Sequence, residues 1–271
     1  MGFARKQHDR CMGEITVETI SSKSNTIIKD TKKLLTSSSA RQKNSLFVLE
    51  GARLCFDVLN SVYRVRYLLL TQKAMDKYAD RIDSLIAVSD KAYIITDEIN
   101  SKLSDTATPQ GIYAVCEMTE QKVELKNKVV ALDRVQDPSN VGALIRTAEA
   151  LGIDSIILYD CCDIYNPKAL RASMGSVLRL GCVQCDSLAD TLNNLKDEYK
   201  IYSTVPQRDA KSITEIDFTA PSVCVIGNEA NGVEENIKAL SDELITIPML
   251  GRAESLNAGV AGAITMWEMM R

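Results

Sequence analysis

Apolar residues recur along the chain at both the helical and the strand period, which predicts alternating helices and strands. Between residues 21 and 118 the predicted elements are short. An amphipathic helix over 24–35 is followed by a polar loop over 36–44, and strands are predicted at 45–51 and 111–116. Strands that alternate with helices over about 90 residues predict a small α/β sandwich.

The pattern changes to longer units from residue 128 to 271. A buried strand over 129–133 leads into a helix over 142–151, and the chain ends in a helix over 255–270. Continuous apolar strands that alternate with helices are typical of a mostly parallel α/β sheet. Ligands of such sheets are expected at the carboxyl ends of the strands.

Two stretches lack either periodicity. Residues 119–127 are charged and weakly apolar, which predicts a linker between domains over 21–118 and 128–271. Residues 1–20 predict a flexible tail without the apolar centre of a signal peptide. No apolar run approaches the roughly 18 residues that span a bilayer, so the expected location is the cytoplasm, away from membranes.

The eight cysteines of the chain are expected to be reduced thiols, because no export signal accompanies them. Cys182 and Cys185 have the spacing of metal ligands, but a structural zinc site usually shows a second pair or histidines. The only histidine is His8, in the predicted tail. No metal is therefore expected, and catalysis by a histidine base is excluded.

The first motif is a strand that stops at Asp137 and Pro138 and leads into a helix. Asn140 is placed to cap that helix, which by itself is a structural role. Arg146 follows among small and apolar residues, where a cation is either an ordinary exposed side chain or a functional one.

The second motif is a hydrophobic strand that ends in Gly227-Asn228-Glu229, with Gly232 three residues later. Glycines permit tight turns and let a backbone approach a ligand closely. A plain strand-to-helix turn is the structural alternative. The glycine spacing does not match a dinucleotide fingerprint.

The third motif is a strand that stops at Pro248, followed by a helix start at Ser255 and Asn257. The helix opens with alanines and glycines between Ala258 and Ala263. Because glycine lowers helix propensity, these small residues predict that another backbone packs very close to them.

Together, Asp-Pro-x-Asn-x-Gly-x-x-x-Arg, Gly-Asn-Glu-x-x-Gly and Ile-Pro-Met with Glu-Ser-Leu-Asn resemble the three signatures of the SpoU/TrmH family. This family belongs to the SPOUT class of RNA methyltransferases. The resemblance covers residues 128–271, and residues 109–115 extend it to the N-terminal domain. It implies a C-terminal SPOUT α/β domain with a deep trefoil knot, preceded by a small L30e-like α/β domain that binds the RNA substrate.

The resemblance also implies a homodimer that transfers a methyl group from S-adenosyl-L-methionine to a ribose 2′-hydroxyl of RNA without a metal. By motif match, the cofactor would be bound by Gly227, Ile247 and Leu256, with Asn228, Pro248, Met249 and Asn257 completing the pocket. Arg146 would be the central catalytic residue, and the ribose or Arg146 would be oriented by Asn140, Glu229, Ser255 and Asn257. We expect Arg146 to bind a phosphate and stabilise the 2′-oxygen rather than act as a base, because a guanidinium stays protonated.

The charge of the chain is unevenly distributed. Residues 1–70 carry a net charge of +6 in a chain of net charge −4, so the remainder carries −10. A basic N-terminal region suits contact with phosphates, although a solvated charged surface has the same composition. The candidate phosphate contacts are Arg41, Lys43 and Arg53.

Three other interpretations remain. The substrate could be tRNA, but the separate N-terminal domain resembles the branch of the family that acts on ribosomal RNA, and 23S ribosomal RNA is favoured. The chain could be a non-catalytic RNA-binding protein of the same fold; the intact Asn140, Arg146, Glu229 and Asn257 speak against it. A nicotinamide-dependent enzyme would need a Gly-x-Gly-x-x-Gly run near a first strand, which this chain lacks.

Overall fold

A computed structural model describes residues 17–119, 123–207 and 209–271 and arranges them in two α/β domains. The elements of the N-terminal domain are, in chain order, β1 (Val17–Ile20), α1 (Thr26–Thr36), α2 (Ser38–Asn44), β2 (Leu46–Glu50), α3 (Ala52–Asp57), β3 (Val65–Thr71), α4 (Gln72–Lys77), α5 (Ala79–Ala87), β4 (Ala92–Ile95), α6 (Asp97–Leu103) and β5 (Ile112–Glu117).

The N-terminal strands form one sheet in the order β1-β4-β3-β5-β2. Strands β1, β4 and β3 are parallel, and β5 runs antiparallel to β3 and β2. Apolar side chains of α1 and α6 cover one face, and those of α3 and α5 cover the other. Burial on both faces explains why Ile112–Cys116 of β5 is continuously apolar and fully buried. The predicted small α/β sandwich is confirmed.

Two predictions for this domain are wrong. The polar stretch 36–44 is largely a helix, α2, because the Ser37 hydroxyl accepts the Ala40 N–H and caps it. Val17–Ile20, predicted to belong to the tail, form an edge strand that pairs with Ala92–Ile95. Only Ile20 of that strand is buried, and the other three residues are exposed. The strand therefore lacks the apolar pattern that would have distinguished it from a tail. The rest of the predicted tail, residues 1–16, lies outside the described residues.

The first element of the C-terminal domain begins at residue 128. Its elements are β6 (Lys128–Asp133), α7 (Pro138–Leu151), β7 (Ser155–Tyr159), α8 (Pro167–Ser173), β8 (Gly181–Cys185), α9 (Leu188–Leu195), β9 (Lys200–Thr204), β10 (Lys211–Ser212), β11 (Ser222–Ile226), α10 (Glu235–Lys238), β12 (Glu243–Thr246) and α11 (Ala258–Met270). The sheet order is β10-β12-β9-β11-β6-β7-β8, and each of these neighbouring pairs is parallel. The predicted parallel sheet is confirmed.

The small residues of the last helix lie where α11 packs against α7. A Cβ atom on Gly262 would overlap the Leu144 side chain, and one on Gly259 would lie 3.2 Å from Asn140 Oδ1. A helix does pack closely against this segment, but the nearest α7 atoms belong to the Leu144 and Asn140 side chains, whereas a backbone was predicted. The trefoil knot itself stays a prediction.

The two domains share an interface built from aromatic and charged side chains. The Phe47 ring stacks on Tyr165 with centroids 4.4 Å apart, and the Tyr63 and Tyr165 hydroxyls lie 3.1 Å apart. Arg179 bridges the domains, since it contacts Asp57 at 3.2 Å and Glu149 at 2.6 Å. These contacts hold the N-terminal domain in a defined position beside α7 and α8.

Among the described residues, we find no helix with both the length and the apolar composition to cross a membrane.

Candidate active site

A cavity of about 360 Å³ opens at the carboxyl ends of β9, β11 and β12, where a parallel α/β sheet is expected to bind ligands. Its size lies within the range of small-molecule sites. The described residues that line it are Thr204, Val205, Pro206, Gln207, Ile226, Gly227, Asn228, Glu229, Ala230, Asn231, Gly232, Val233, Lys238, Thr246, Ile247, Met249, Glu254, Ser255, Leu256, Ala258 and Ala261.

The loop after β11 closes on itself at one wall of this cavity. Backbone hydrogen bonds join Asn228 and Gly232 in both directions, at 3.1 and 2.9 Å. A Cβ atom on Gly227 would overlap the backbone of Gly232 and Val233. The Asn228 side chain donates to the Arg134 carbonyl at 2.7 Å. Glycine at position 227 is therefore required by the turn and not only by a ligand.

Glu229 joins the first two motifs. Its carboxylate accepts hydrogen bonds from the backbone N–H groups of Gln136 and Asp137, each at 3.1 Å, and from the Asn140 side chain at 3.0 Å. Burial acts to raise the pKa of Glu229, but the hydrogen bonds from Asn140, Gln136 and Asp137 outweigh it, so the pKa lies below its usual range. Glu229 is therefore held as a carboxylate.

The helix of the first motif is capped three residues earlier than expected. Asp137 caps α7 by accepting the Ser139 N–H at 2.7 Å, and Pro138 occupies the first helical position. The prediction that Asn140 caps the helix is wrong. Asn140 lies inside the first turn and is buried, and its side-chain amide donates a hydrogen bond to the Glu229 carboxylate.

The third motif brings the start of α11 against the same region. Asn257 caps α11 and accepts hydrogen bonds from Gly259 and Val260 at 2.9 and 3.3 Å. The absence of a side chain at Gly259 lets Asn140 and Asn257 approach each other. The caps and first turns of α7 and α11 therefore meet beside Glu229.

Arg146 lies on the exposed side of α7. Six residues place it about 9 Å along the helix from Asn140 and on a different face. Within the described part of the chain it has no hydrogen-bond or ion-pair partner. The guanidinium is therefore free to bind an anion that comes from outside this chain.

The structure collects part of the predicted site around the cavity. The predicted residues that line it are Gly227, Asn228, Glu229, Ile247, Met249, Ser255 and Leu256. Four predicted residues are outside the lining: Asn140, Arg146, Pro248 and Asn257. The sequence missed the segment 204–207, Lys238 and Glu254. Of these, only 205–207 could have been identified from the sequence, because they directly follow the strand that ends at Thr204.

The three candidate phosphate contacts have different environments. Arg41 is buried, its guanidinium donates to the Leu34 carbonyl at 2.7 Å, and it pairs with Asp163. The prediction that Arg41 contacts RNA is therefore wrong, because its donors already have partners inside the protein. Lys43 and Arg53 are exposed and have no ion pair with any described residue, so both remain candidates.

The cysteines offer no metal site in the described chain, where no cluster of three or more His, Cys, Asp or Glu side chains could hold an ion. The described cysteines are free thiols. Burial raises the pKa of Cys161, Cys162 and Cys182 to about 12. These thiols are protonated at neutral pH and are poor metal ligands and nucleophiles.

Comparison with known proteins gives two family matches. Residues 127–267 match the SpoU rRNA Methylase family, and residues 25–114 match the MRM3-like substrate binding domain. The chain is 35% identical over 252 residues to the 23S rRNA (guanosine(2553)-2′-O)-methyltransferase RlmP of Bacillus subtilis, an alignment that covers 92% of this chain and 98% of RlmP.

Two solved structures share the fold over most of the chain. The AdoMet-bound rRNA methyltransferase from Sinorhizobium meliloti superposes with a TM-score of 0.83 at 26% identity, covering 93% of this chain and 97% of that chain. The SpoU methyltransferase AviRb from Streptomyces viridochromogenes, in complex with AdoMet, gives a TM-score of 0.82 at 26% identity, covering 91% and 97%.

Proposed function

We propose, from the premise that this chain belongs to the SpoU rRNA methylase family, that it methylates a ribose 2′-hydroxyl of 23S ribosomal RNA with S-adenosylmethionine as cofactor. The observation that carries this proposal is the carboxylate of Glu229, which ties the first turn of α7 to the wall of the cavity.

The cavity suits this cofactor in size and in chemistry. Ile226, Ile247 and Leu256 supply apolar surface for an adenosine group, and the backbone of the Gly227 loop lies beside them. Carboxylates at Glu229 and Glu254 place negative charge near a cationic ligand. The sulfonium of the cofactor supplies an activated methyl group, so the protein must chiefly align the reacting oxygen with it.

Arg146 is the residue to which we assign stabilisation of the 2′-oxygen. A guanidinium is a permanent cation with several donors, so Arg146 can hold the adjacent phosphate and offset negative charge that develops on the oxygen. Its exposure and its lack of a described partner leave it available to RNA. Glu229 and Asn140 act as positioning residues, because their polar atoms bond to each other and to the backbone.

The remaining predicted residues, Ser255, Asn257 and Pro248, have different roles. Ser255 lines the cavity and would orient the ribose or the cofactor. Asn257 uses its side-chain oxygen to cap α11, so its contribution is to place that helix. Pro248 lies between Ile247 and Met249, which line the cavity, and shapes the backbone there.

In this proposal both domains contact the RNA substrate. The match of residues 25–114 to a substrate binding domain and the exposed Lys43 and Arg53 favour RNA contact by the N-terminal domain. Coverage of 98% of RlmP, whose name specifies 23S rRNA, favours ribosomal RNA over tRNA. A ribosomal substrate also favours the cytoplasm as the place of action.

The proposal includes a homodimer. Helix α11 leaves Val260, Trp267 and Met270 exposed, although all are large and apolar. Such a stripe on a helix that packs beside α7 suits burial against a second copy of the chain.

The test is methyl transfer from radiolabelled S-adenosylmethionine to unmodified 23S rRNA and to tRNA, with Arg146→Ala and Arg146→Lys alongside. We expect an alkali-resistant 2′-O-methyl linkage in 23S rRNA and a loss of about 10²–10³ in turnover for both variants. The variants should keep the affinity of the protein for S-adenosylhomocysteine, because Arg146 is outside the cavity lining. Near-normal turnover of Arg146→Lys would contradict the guanidinium role, and label in tRNA alone would contradict the substrate.

A further inference from the structure

The described lining of the cofactor cavity contains more acidic than basic side chains. Glu229 and Glu254 are acidic, and Lys238 is the only lysine or arginine among the described lining residues. Glu229 already accepts three hydrogen bonds from the protein. Lys238 was not found from the sequence, because it lies in a short helix outside the three motifs.

Lys238 is unusually enclosed for a lysine. Its side chain is 16% exposed, whereas that of Glu235, which its amine contacts at 2.7 Å, is 89% exposed. An ion pair with so exposed a carboxylate contributes little to stability. The Lys238 ammonium could therefore exchange Glu235 for another anion, or accept a second one, at little cost.

S-Adenosylmethionine carries one anionic group, the carboxylate of its amino-acid end. That group leaves water when the cofactor enters a cavity and needs a compensating donor. We propose that Lys238 binds this carboxylate and thereby selects ligands that carry an amino-acid end. The inference rests on the cofactor assigned above and adds a binding residue that the three motifs do not contain.

The proposal distinguishes the amino-acid end of the cofactor from its adenosine and thioether part. S-Adenosylhomocysteine and 5′-methylthioadenosine share the adenosine and the thioether, but only the first carries the carboxylate and the ammonium. A residue that merely shapes the cavity would affect both ligands. A residue that binds the carboxylate would affect only the affinity for S-adenosylhomocysteine.

The experiment is calorimetric titration of the full chain with each ligand. Lys238→Met keeps the length of the side chain and removes its charge. We expect it to weaken S-adenosylhomocysteine about tenfold, the size of one charged hydrogen bond, and to leave 5′-methylthioadenosine within about twofold. Lys238→Glu should increase the loss for the first ligand only. Glu235→Gln, which frees the ammonium, should bind S-adenosylhomocysteine at least as tightly as the unmodified chain.

Lys200→Met is the matched control, because Lys200 pairs with Asp242 and does not line the cavity. It should change neither affinity. Equal losses for both ligands in Lys238→Met, or no loss for either, would overturn the role of Lys238 while the cofactor assignment stands. Failure of the unmodified chain to bind S-adenosylhomocysteine would overturn the cofactor assignment and this proposal together.

Discussion

Arg41 and Asp163 form an ion pair across the boundary between the two domains, with 2.6 Å between the guanidinium Nε and the carboxylate Oδ2. Their side chains are 3% and 13% exposed. Asp163 also accepts the Ser38 hydroxyl at 3.0 Å and the Tyr165 N–H at 2.8 Å. The pair therefore fastens α2 to the loop between β7 and α8, so we assign Arg41 to domain docking.

Replacement of Arg41 by alanine should lower the free energy of unfolding by about 2–3 kcal/mol, because it leaves the largely enclosed carboxylate of Asp163 without its ion-pair partner, although the Ser38 and Tyr165 donors remain. Denaturant unfolding followed by tryptophan fluorescence or circular dichroism measures this. The double variant Arg41→Met with Asp163→Asn should recover part of the loss, since neither charge remains.

Lys43→Ala is the control, because Lys43 lies on the same helix but is exposed. It should change stability by less than about 0.5 kcal/mol. An Arg41→Ala protein of normal stability that loses RNA affinity would restore the phosphate-contact interpretation.

A second prediction concerns Gly227, a glycine that lines the cavity. Gly227→Ala should lower stability by about 1–3 kcal/mol and abolish measurable binding of S-adenosylhomocysteine, because the new methyl group overlaps the backbone of Gly232 and Val233. Gly251→Ala meets no atom within 4 Å and should be neutral in thermal unfolding and in titration. Equal behaviour of the two variants would show that the loop after β11 can relax.

The sequence predicted the elements whose signals are local. Pro138 and the apolar run of β6 marked the start of the first motif, and the order of the motifs identified the family. Arg41 was misplaced because its partner is 122 residues away. Asn140 was assigned as a cap because nothing local shows that Glu229, 89 residues later, binds its side chain. Lys238 escaped notice for the same reason, since only the fold brings it to the cavity.

A third prediction follows from the lowered pKa of Glu229. In the folded protein this carboxyl gives up its proton at a lower pH than in the unfolded chain. Its contribution to stability is therefore complete above the ordinary glutamate pKa of about 4.3 and is lost as the pH falls through the folded value. Glu229→Gln should be less stable than the unmodified chain at pH 7, and the difference should shrink below about pH 4.

Urea unfolding between pH 3 and 7, the range that brackets the ordinary pKa of about 4.3, measures the difference. Asn140→Ala removes one of the donors that lower the pKa, so the loss of stability on acidification should be smaller and should be complete at a higher pH than in the unmodified chain. Glu254→Gln alters an exposed carboxyl without a described hydrogen bond and should stay within about 0.5 kcal/mol throughout. A Glu229→Gln difference that is independent of pH would contradict the shift.

The last prediction concerns the exposed stripe on α11. Trp267 is 60% exposed and lies seven residues from Val260, so both project from the same face of the helix. If this face is buried in a dimer, the unmodified chain should elute with a light-scattering mass of two 29.9 kDa copies. Trp267→Glu places an unpaired charge in that interface and should give the mass of one copy. Val62→Glu, at an apolar position 69% exposed in the N-terminal domain, should keep the mass of two. A single-copy mass for the unmodified chain, or a two-copy mass for Trp267→Glu, would contradict an interface through α11.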